Sequence, residues 1–235
     1  MMKRKYETFK YRKLESIEAH KESLSLEDVS ILVSFARSKN ELIRSWAAEL
    51  LVNRYTEQSE EILYHMTYDR CDIVRINAVD SLCIGKQLKS LQRLESLFED
   101  DDYLIRGYAV LSHFDVTVNI YGENYNVDNR YINLMESLLA SDTSAWVKVC
   151  IFNNLYLCGC EPVLDKIADI LDKAAENSDF EVVWCVLHTL DELVDGDNEV
   201  FIHSMINKVY GLLLDTQQDY VKENFAISHE DENKL

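Results

Sequence analysis

The sequence predicts an all-α fold, a right-handed α-α superhelix or solenoid of about five to six helical hairpins. A seven-residue pattern with a polar or acidic first position recurs along the chain and closes on a basic residue. Apolar residues follow the closing residue at helical intervals, and a single proline leaves long stretches free of rigid breaks. A unit of roughly 20 to 50 residues repeated in this way is typical of a solenoid, in which each unit buries its apolar face against its neighbours.

The pattern is clearest in its first three copies, which close on Arg44, Arg75 and Arg106 at intervals of 31 residues. Two weaker copies close on Lys148 and Trp184, at intervals of 42 and 36 residues. The first positions of the five copies are Ser38, Asp69, Asp100, Asp142 and Ser178. The regular spacing favours a structural role for these acids and cations over a substrate-binding one.

Each copy predicts two antiparallel helices with a short turn between them. Steps of four residues after the pattern place one apolar or small stripe on the second helix. The stripes are Ile43/Ala47/Leu51, Val74/Ala78/Leu82, Ile105/Ala109/His113, Val147/Ile151/Leu155 and Val183/Leu187/Asp191. Amphipathic runs that predict the first helices cover residues 26–36, 62–68, 88–98, 131–139 and 163–174. Side chains able to cap the second helices are Asn40, Asp72, Asp102 and Ser144.

The domain prediction has three parts. Residues 1–24 form an amino-terminal capping helix with Phe9, Leu14 and Ile17 facing inward, and residues 25–215 form the repeat array. Residues 216–235 form a polar acidic tail that we expect to be largely disordered. The 42-residue interval requires about 11 extra residues, which fall near 115–130 and whose alternating apolar positions suggest a short hairpin or an ordered loop. Such an insertion can contribute to binding or act as a spacer.

The seven-residue pattern and the apolar stripe after it resemble the HEAT repeat, particularly its short bacterial form related to the phycobilisome-lyase repeats. The resemblance covers about residues 25–215. In that family the turn aspartate and the second-helix arginine form a ladder that joins neighbouring repeats. Carried over by position, the ladder residues are Asp69, Asp100, Asp142, Arg44, Arg75, Arg106 and Lys148. The sequence departs from the pattern at both ends, where Ser38, Ser178 and Trp184 replace the expected charges.

The net charge of −18 is confined to the second half of the chain. Residues 1–99 hold 16 Lys/Arg and 16 Asp/Glu, whereas residues 100–235 hold 8 and 26. An acidic field of this size repels polyanions, so nucleic acid is disfavoured as a ligand. It favours a basic protein partner, although the same charge would also serve solubility alone.

The sequence also predicts a cytoplasmic protein with reduced thiols. The six cysteines lie mostly inside predicted helices, the amino terminus has no apolar segment typical of a secretory signal, and no apolar run is long enough to span a membrane. Cys158 and Cys160 have no matching Cys/His pair at metal-ligand spacing, so no metal or cofactor is expected. The oligomeric state stays open.

The resemblance implies where a partner would bind. In HEAT-like stacks the second helices line the concave side, and the face opposite the core stripe is the default binding surface. On this face the candidate partner-binding residues are Glu49, Asp80, Leu111, Phe114, Asn153, Tyr156 and Glu192. Tyr121 and Tyr125 are candidates in the insertion. The alternative is that flanking helices cover the face, which would make Leu111 and Phe114 ordinary core residues.

We expect a non-catalytic scaffold or adaptor that engages a basic protein through its concave, acidic surface. One alternative is an immunity protein that neutralises a basic toxin. Another is a HEAT-like enzyme or accessory of the bilin-lyase or DNA-glycosylase type, for which Trp46, Trp146, Trp184 and Asp80 would be the residues of interest. No G-x-S-x-G, P-loop or glycine-rich phosphate loop is present in the sequence, so no catalytic residue is assigned.

Overall fold

A computed structural model describes residues 2–122, 129–160, 163–194, 196 and 198–224. These residues are all-helical and contain no strand, which confirms the predicted all-α class. The chain divides into two compact units, an amino-terminal unit (Met1–Arg130) and a carboxy-terminal unit (Tyr131–Leu235). The helices are α1 Met2–Glu18, α2 Leu26–Phe35, α3 Glu41–Leu51, α4 Glu57–Met66, α5 Asp72–Ser81, α6 Leu88–Ser96, α7 Tyr103–Tyr121, α8 Asn129–Ser141, α9 Ala145–Leu157, α10 Leu164–Glu176, α11 Phe180–Glu192, α12 Glu199–Tyr210 and α13 Asp215–Asn224.

The amino-terminal unit is built from helical hairpins in two layers. The hairpin pairs are α2 with α3, α4 with α5, and α6 with α7. The second helices α3, α5 and α7 pack side by side in one layer, and the first helices α2, α4 and α6 pack in the other. Helix α1 lies against α2 and α3. The core lies between the layers, because each hairpin turns its apolar stripe towards its partner helix.

The carboxy-terminal unit repeats the hairpin theme. Helices α9 and α11 are neighbours, and α10 packs against both of them. Helix α12 continues the packing, with contacts to α10 and α11. In α10 the inward positions are Ile167, Leu171, Ala174 and Ala175, at spacings of four, three and one that define one helical face. The opposite face of α10 is left for polar side chains.

The predicted second-helix stripes are confirmed as core. The stripe of α3 is completely buried, as is that of α5, whose last member, Leu82, begins the 3-10 turn Leu82–Ile84 that follows the helix. The stripes of α7 and α9 are at most 6% exposed. The exception is Asp191 at the end of the α11 stripe, which is exposed. Steps of four residues therefore located the buried face of each second helix.

Three of the four predicted helix caps are confirmed. The side chains of Asn40, Asp102 and Ser144 accept hydrogen bonds from backbone N–H groups in the first turns of α3, α7 and α9. Asp72 is instead the first residue of α5, and its carboxylate binds Arg75 three residues later at 2.7 Å. The prediction of Asp72 as a cap was therefore wrong by one position.

Three expectations about the insertion and the chain ends were wrong. Residues 115–121 form neither a hairpin nor a loop, because α7 continues through them with Val116 completely buried and ends at Gly122, whose φ of +85° suits glycine. Packing of the apolar side chains thus overrides the β propensity of this segment. Residues 215–224 form α13, so the tail is not disordered there, whereas 225–235 lie outside the described residues. In α1, Leu14 and Ile17 are buried as expected, but Phe9 is 60% exposed.

Helix α2 begins with a reciprocal cap that should make its stability pH-dependent. Ser25 accepts a hydrogen bond from the backbone of Asp28, and the Asp28 carboxylate accepts from the hydroxyl and backbone N–H of Ser25 at 2.6 and 3.0 Å. These bonds from Ser25, the hydroxyl first, lower the pKa of Asp28 to about 2 even though burial opposes the shift, and His20 adds to the effect. A carboxyl whose pKa is lower in the folded state stabilises the fold above its unfolded pKa.

We expect Asp28→Asn to reduce the free energy of unfolding by about 1–2 kcal/mol at pH 7. The difference from wild type should shrink as the pH falls from about 4 towards 2, because the wild-type carboxyl then becomes protonated as well. Urea denaturation at a series of pH values measures this. Glu27→Gln, which neutralises the exposed neighbour in the same helical turn, is the matched control and should show little loss at any pH.

Candidate functional site

The seven-residue pattern forms a turn in which the side chains at the first and the last position both hydrogen-bond to the backbone. At its first position, the aspartate carboxylate accepts a hydrogen bond from the backbone N–H two residues later. The distances are 2.9 Å from Cys71 N to Asp69, 2.9 Å from Asp102 N to Asp100 and 2.8 Å from Ser144 N to Asp142. This bond is an Asx-turn, which explains why aspartate recurs at this position.

At the last position, arginine reaches back to the same residue. The Nη1 atom donates to the backbone carbonyl six residues earlier: Arg44 to Ser38 at 2.9 Å, Arg75 to Asp69 at 3.1 Å and Arg106 to Asp100 at 2.8 Å. The six-residue separation is therefore the reach of an arginine on the second helix back to a carbonyl in the turn between the two helices. Contacts within one repeat therefore explain the pattern. The resemblance to a family with a ladder between repeats did not reveal these contacts.

The expected ladder between repeats is present at Arg44. Its guanidinium donates two hydrogen bonds to the Asp69 carboxylate of the next repeat, at 2.7 and 2.8 Å, and Arg44 is only 7% exposed. Burial alone would raise the pKa of Asp69, but the hydrogen bonds from Arg44 and from the backbone of Cys71 outweigh it and hold that pKa below its ordinary value. The structure does not join the next predicted pair, because Arg75 binds Asp72 at 2.7 Å rather than Asp100. Lys148 is half-buried in α9.

The candidate binding residues differ in their exposure. Glu49, Asp80 and Tyr121 are exposed, and Leu111, Phe114 and Tyr156 are half-buried. Asn153 is only 7% exposed, and its side chain donates to Asn154 at 3.3 Å. The Tyr156 hydroxyl accepts a hydrogen bond from Asn198 at 2.7 Å, between the end of α9 and the start of α12. Tyr125 and the side chain of Glu192 lie outside what the structure describes.

Four exposed acids belong to one face of the amino-terminal unit, one each from α1, α3, α5 and α7. They are Glu18, Glu49, Asp80 and Asp115, and we call them the acidic row. Two side-chain hydrogen bonds fix how these helices align. Asn77 of α5 donates to the Ser45 hydroxyl of α3 at 2.9 Å, and Ser112 of α7 donates to the Asp80 carbonyl of α5 at 3.0 Å. Each acid of α3, α5 and α7 lies within about one turn of these bonds, so the three carboxylates follow one another across the layer.

The acids of the row influence the titration of their surroundings. The pKa of Glu49 is raised, first by partial desolvation of its carboxyl beside the neighbouring helices and then by repulsion from Glu18, with Lys21 opposing the shift. Burial raises the pKa of the Cys83 thiol to about 12, with further contributions from Asp115 and then Asp80. Neighbouring carboxylates thus create a negative potential along the row, which attracts cationic groups and repels phosphates.

Sequence reasoning found Glu49 and Asp80 but missed Glu18 and Asp115. The first two share the 31-residue register, which made them visible as equivalent positions. Asp115 comes 35 residues after Asp80, in the segment expected to be a loop. Glu18 lies in α1 outside the repeat array, although it stands 31 residues before Glu49, and this interval was the available signal.

The three tryptophans that were of interest for the enzyme alternative lie in different surroundings. Trp46 is half-buried beside Tyr11, with ring centroids 6.4 Å apart. Trp146 is only 4% exposed and belongs to the core of its unit. Trp184 packs against His188 and Tyr220, with ring centroids at 4.1 and 4.4 Å. Trp46 and Trp184 thus pack against other aromatic rings, and Trp146 is a core residue.

In the ranges that the structure describes, no group of three or more His, Cys, Asp or Glu side chains is placed to hold a metal ion. Among the described helices, none combines the length and the apolar character needed to cross a membrane. Comparison with known proteins finds neither a protein-family model nor a curated protein that matches this chain.

Proposed function

We propose that this chain is a HEAT-like repeat solenoid that acts as a non-catalytic scaffold or adaptor and binds a basic protein partner. The observation that carries the proposal is the acidic row of Glu18, Glu49, Asp80 and Asp115. Repeat proteins bind extended partners with surfaces that run across successive repeats, and this row runs across the neighbouring helices α1, α3, α5 and α7. The proposal takes the row to lie on the concave surface.

The dimensions of the row suit a polypeptide. Neighbouring packed helices lie about 8–10 Å apart, so four helices spread the acids over roughly 30 Å. A basic segment of about ten residues in extended conformation, or a longer one in a helix, covers that distance. Exposed carboxylates at this spacing speed the encounter with a cationic partner and set its register, while half-buried Leu111 and Phe114 supply apolar contact beside them.

Reversing the charge of the row should weaken partner binding. We expect Glu49→Lys/Asp80→Lys to reduce affinity for the native partner at least about 10-fold, with a larger loss at low salt. Both side chains are exposed, so the fold should persist, as circular dichroism can verify. The measurement is affinity purification from the native cell, followed by titration of the purified captured protein against both variants.

The matched control is Glu27→Lys/Glu57→Lys, which makes the same change of charge at exposed positions on α2 and α4. It should retain most of the affinity. Equal losses in the two double variants would show that only the net charge matters. Unchanged binding by Glu49→Lys/Asp80→Lys would exclude the acidic row as the binding surface.

A further inference from the structure

A groove with an apolar floor and an acidic edge runs between α10 and α12 of the carboxy-terminal unit. Its volume is about 390 Å³. The floor contains Leu171 and Met205, and the wall from α12 carries Phe201, a residue that is 40% exposed. A large apolar ring left exposed beside an apolar floor is a typical anchor site for a partner side chain.

The edge from α10 is a row of carboxylates. Asp165, Asp169 and Asp172 occupy positions i, i+4 and i+7, which place them on one face of the helix, opposite the buried stripe. Asp172 is bound by Lys208 of α12, which closes one end of the groove. Asp165 and Asp169 make no ion pair with any residue that the structure describes, so the other end keeps two uncompensated negative charges beside Phe201.

The charge of the whole unit acts in the same direction. Residues 131–235 contain 6 Lys/Arg and 20 Asp/Glu, which gives a formal charge of −14. A field of this sign attracts cations and repels phosphates and acidic peptides. The groove combines this field with apolar surface, so its complement carries basic and apolar groups together.

We infer that this groove binds a basic amphipathic segment of another protein. One lysine or arginine of the segment reaches Asp165 and Asp169, and an apolar side chain about one helical turn away packs on Phe201 and Met205. The groove thus adds a second contact for the basic partner, in the other unit from the acidic row. For the class of partner, the inference rests on the proposed function.

A defined probe tests the groove on the full-length chain. The probe is a fluorescein-labelled peptide of about 14 leucines and lysines arranged to form an amphipathic helix, and its binding is followed by fluorescence anisotropy at low and moderate salt. We expect Asp165→Asn/Asp169→Asn to weaken binding about 10-fold and Phe201→Ala about 5-fold. A second peptide with serine in place of each leucine keeps the charge and should bind at least about 10-fold more weakly.

The chain supplies a closely matched control. Asp215 and Asp219 are also an exposed i, i+4 pair in the first part of a helix of the same unit. Asp215→Asn/Asp219→Asn removes the same charge and should change binding less than about twofold. An equal loss in this control, or equal binding of the serine peptide, would show attraction by net charge alone and would overturn the inference. Unchanged binding by Asp165→Asn/Asp169→Asn would also overturn the inference.

Two further measurements separate this inference from the proposed function and from self-association. Loss of probe binding in Glu49→Lys/Asp80→Lys, together with full binding by Asp165→Asn/Asp169→Asn, would place the probe on the acidic row, which supports the proposed function and overturns the groove. Sedimentation of the wild type tests the other occupant. An oligomer that dissociates in Asp165→Asn/Asp169→Asn would make a second copy the occupant and overturn the inference, and a wild type without such an oligomer supports it.

Discussion

Replacing Glu60 with glutamine should destabilise the protein by about 2–3 kcal/mol, the largest effect we expect from a single isosteric change. Glu60 lies in α4 and is completely buried. Its carboxylate accepts hydrogen bonds from the backbone N–H groups of Lys86 and Gln87, at 3.0 and 2.9 Å, and from the Ser90 hydroxyl at 2.7 Å. The Gln87 amide and the Tyr55 hydroxyl complete the set, at 3.1 and 3.3 Å.

All of these groups donate, and only a carboxylate accepts from them on both oxygens. In Glu60→Gln, one oxygen becomes an NH2 group that can only donate, so either a buried N–H loses its acceptor or the Tyr55 hydroxyl and the Gln87 amide must reorient to accept. The site has little room to adjust. A Cβ atom at Gly85 would lie 3.0 Å from the Leu82 carbonyl and 3.1 Å from Glu60 Oε1. Glu60 thereby fixes the chain that enters α6, in place of a side-chain cap on that helix.

Glu61→Gln is the natural control, because Glu61 is the next residue and is exposed beside His65 and Lys89. Glu61→Gln should leave the urea denaturation midpoint close to that of the wild type, because ion pairs of exposed side chains add little to stability. Urea denaturation compares the two variants, and hydrogen exchange should show the amides of Lys86 and Gln87 opening first in Glu60→Gln. Denaturation midpoints that coincide for Glu60→Gln and Glu61→Gln would refute the assigned role of Glu60.

The contrast between these two glutamates shows what sequence reasoning can reach. Within α4, positions 59, 60, 62, 63 and 66 are buried, so Glu60 lies on the inward side one turn before Leu63. The helical position of Glu60 indicates burial, but its residue type indicates exposure, because a charged residue in an acidic run is ordinarily solvated. Its burial depends on donors about 26 to 30 residues away, and the sequence does not show that these donors converge on it.

The second helices were predictable because their apolar stripes repeat at four-residue steps in every copy. The helical course of residues 115–121 was not, because alternating Val116, Val118 and Ile120 resemble a strand until their packing is known. The same distinction applies to the acidic row. The register revealed Glu49 and Asp80, whereas Asp115 depends on that unexpected extension of α7.

Contacts within one repeat could be predicted from the sequence spacing, whereas the contact between repeats could not. Asx-turns and the arginine contact to the carbonyl six residues earlier recur in successive copies, so a fixed sequence spacing encodes them. The bond between repeats depends on how two hairpins pack, and here Arg44 reaches Asp69 while Arg75 turns to Asp72. Arg44 and Arg75 therefore share the contact to the carbonyl and differ in the carboxylate that they bind. Comparing variants of the two arginines measures the contact between repeats by itself.

We expect Arg44→Met to cost about 3 kcal/mol and Arg75→Met about 1 kcal/mol, because both lose the carbonyl contact but only Arg44→Met leaves a largely buried carboxylate without its partner. Asp69→Asn and Asp100→Asn both keep a side-chain oxygen that can make the Asx-turn, so each removes the negative charge and leaves the local turn in place. Double-mutant cycles should then give a coupling of about 2 kcal/mol for Arg44 with Asp69 and below about 0.5 kcal/mol for Arg75 with Asp100. Since the pKa of Asp69 is lowered in the folded state, its contribution is present above the ordinary carboxyl pKa, and the coupling should fade as the pH falls below about 4. Equal couplings in the two cycles would mean that the bond between repeats adds nothing to the local turn.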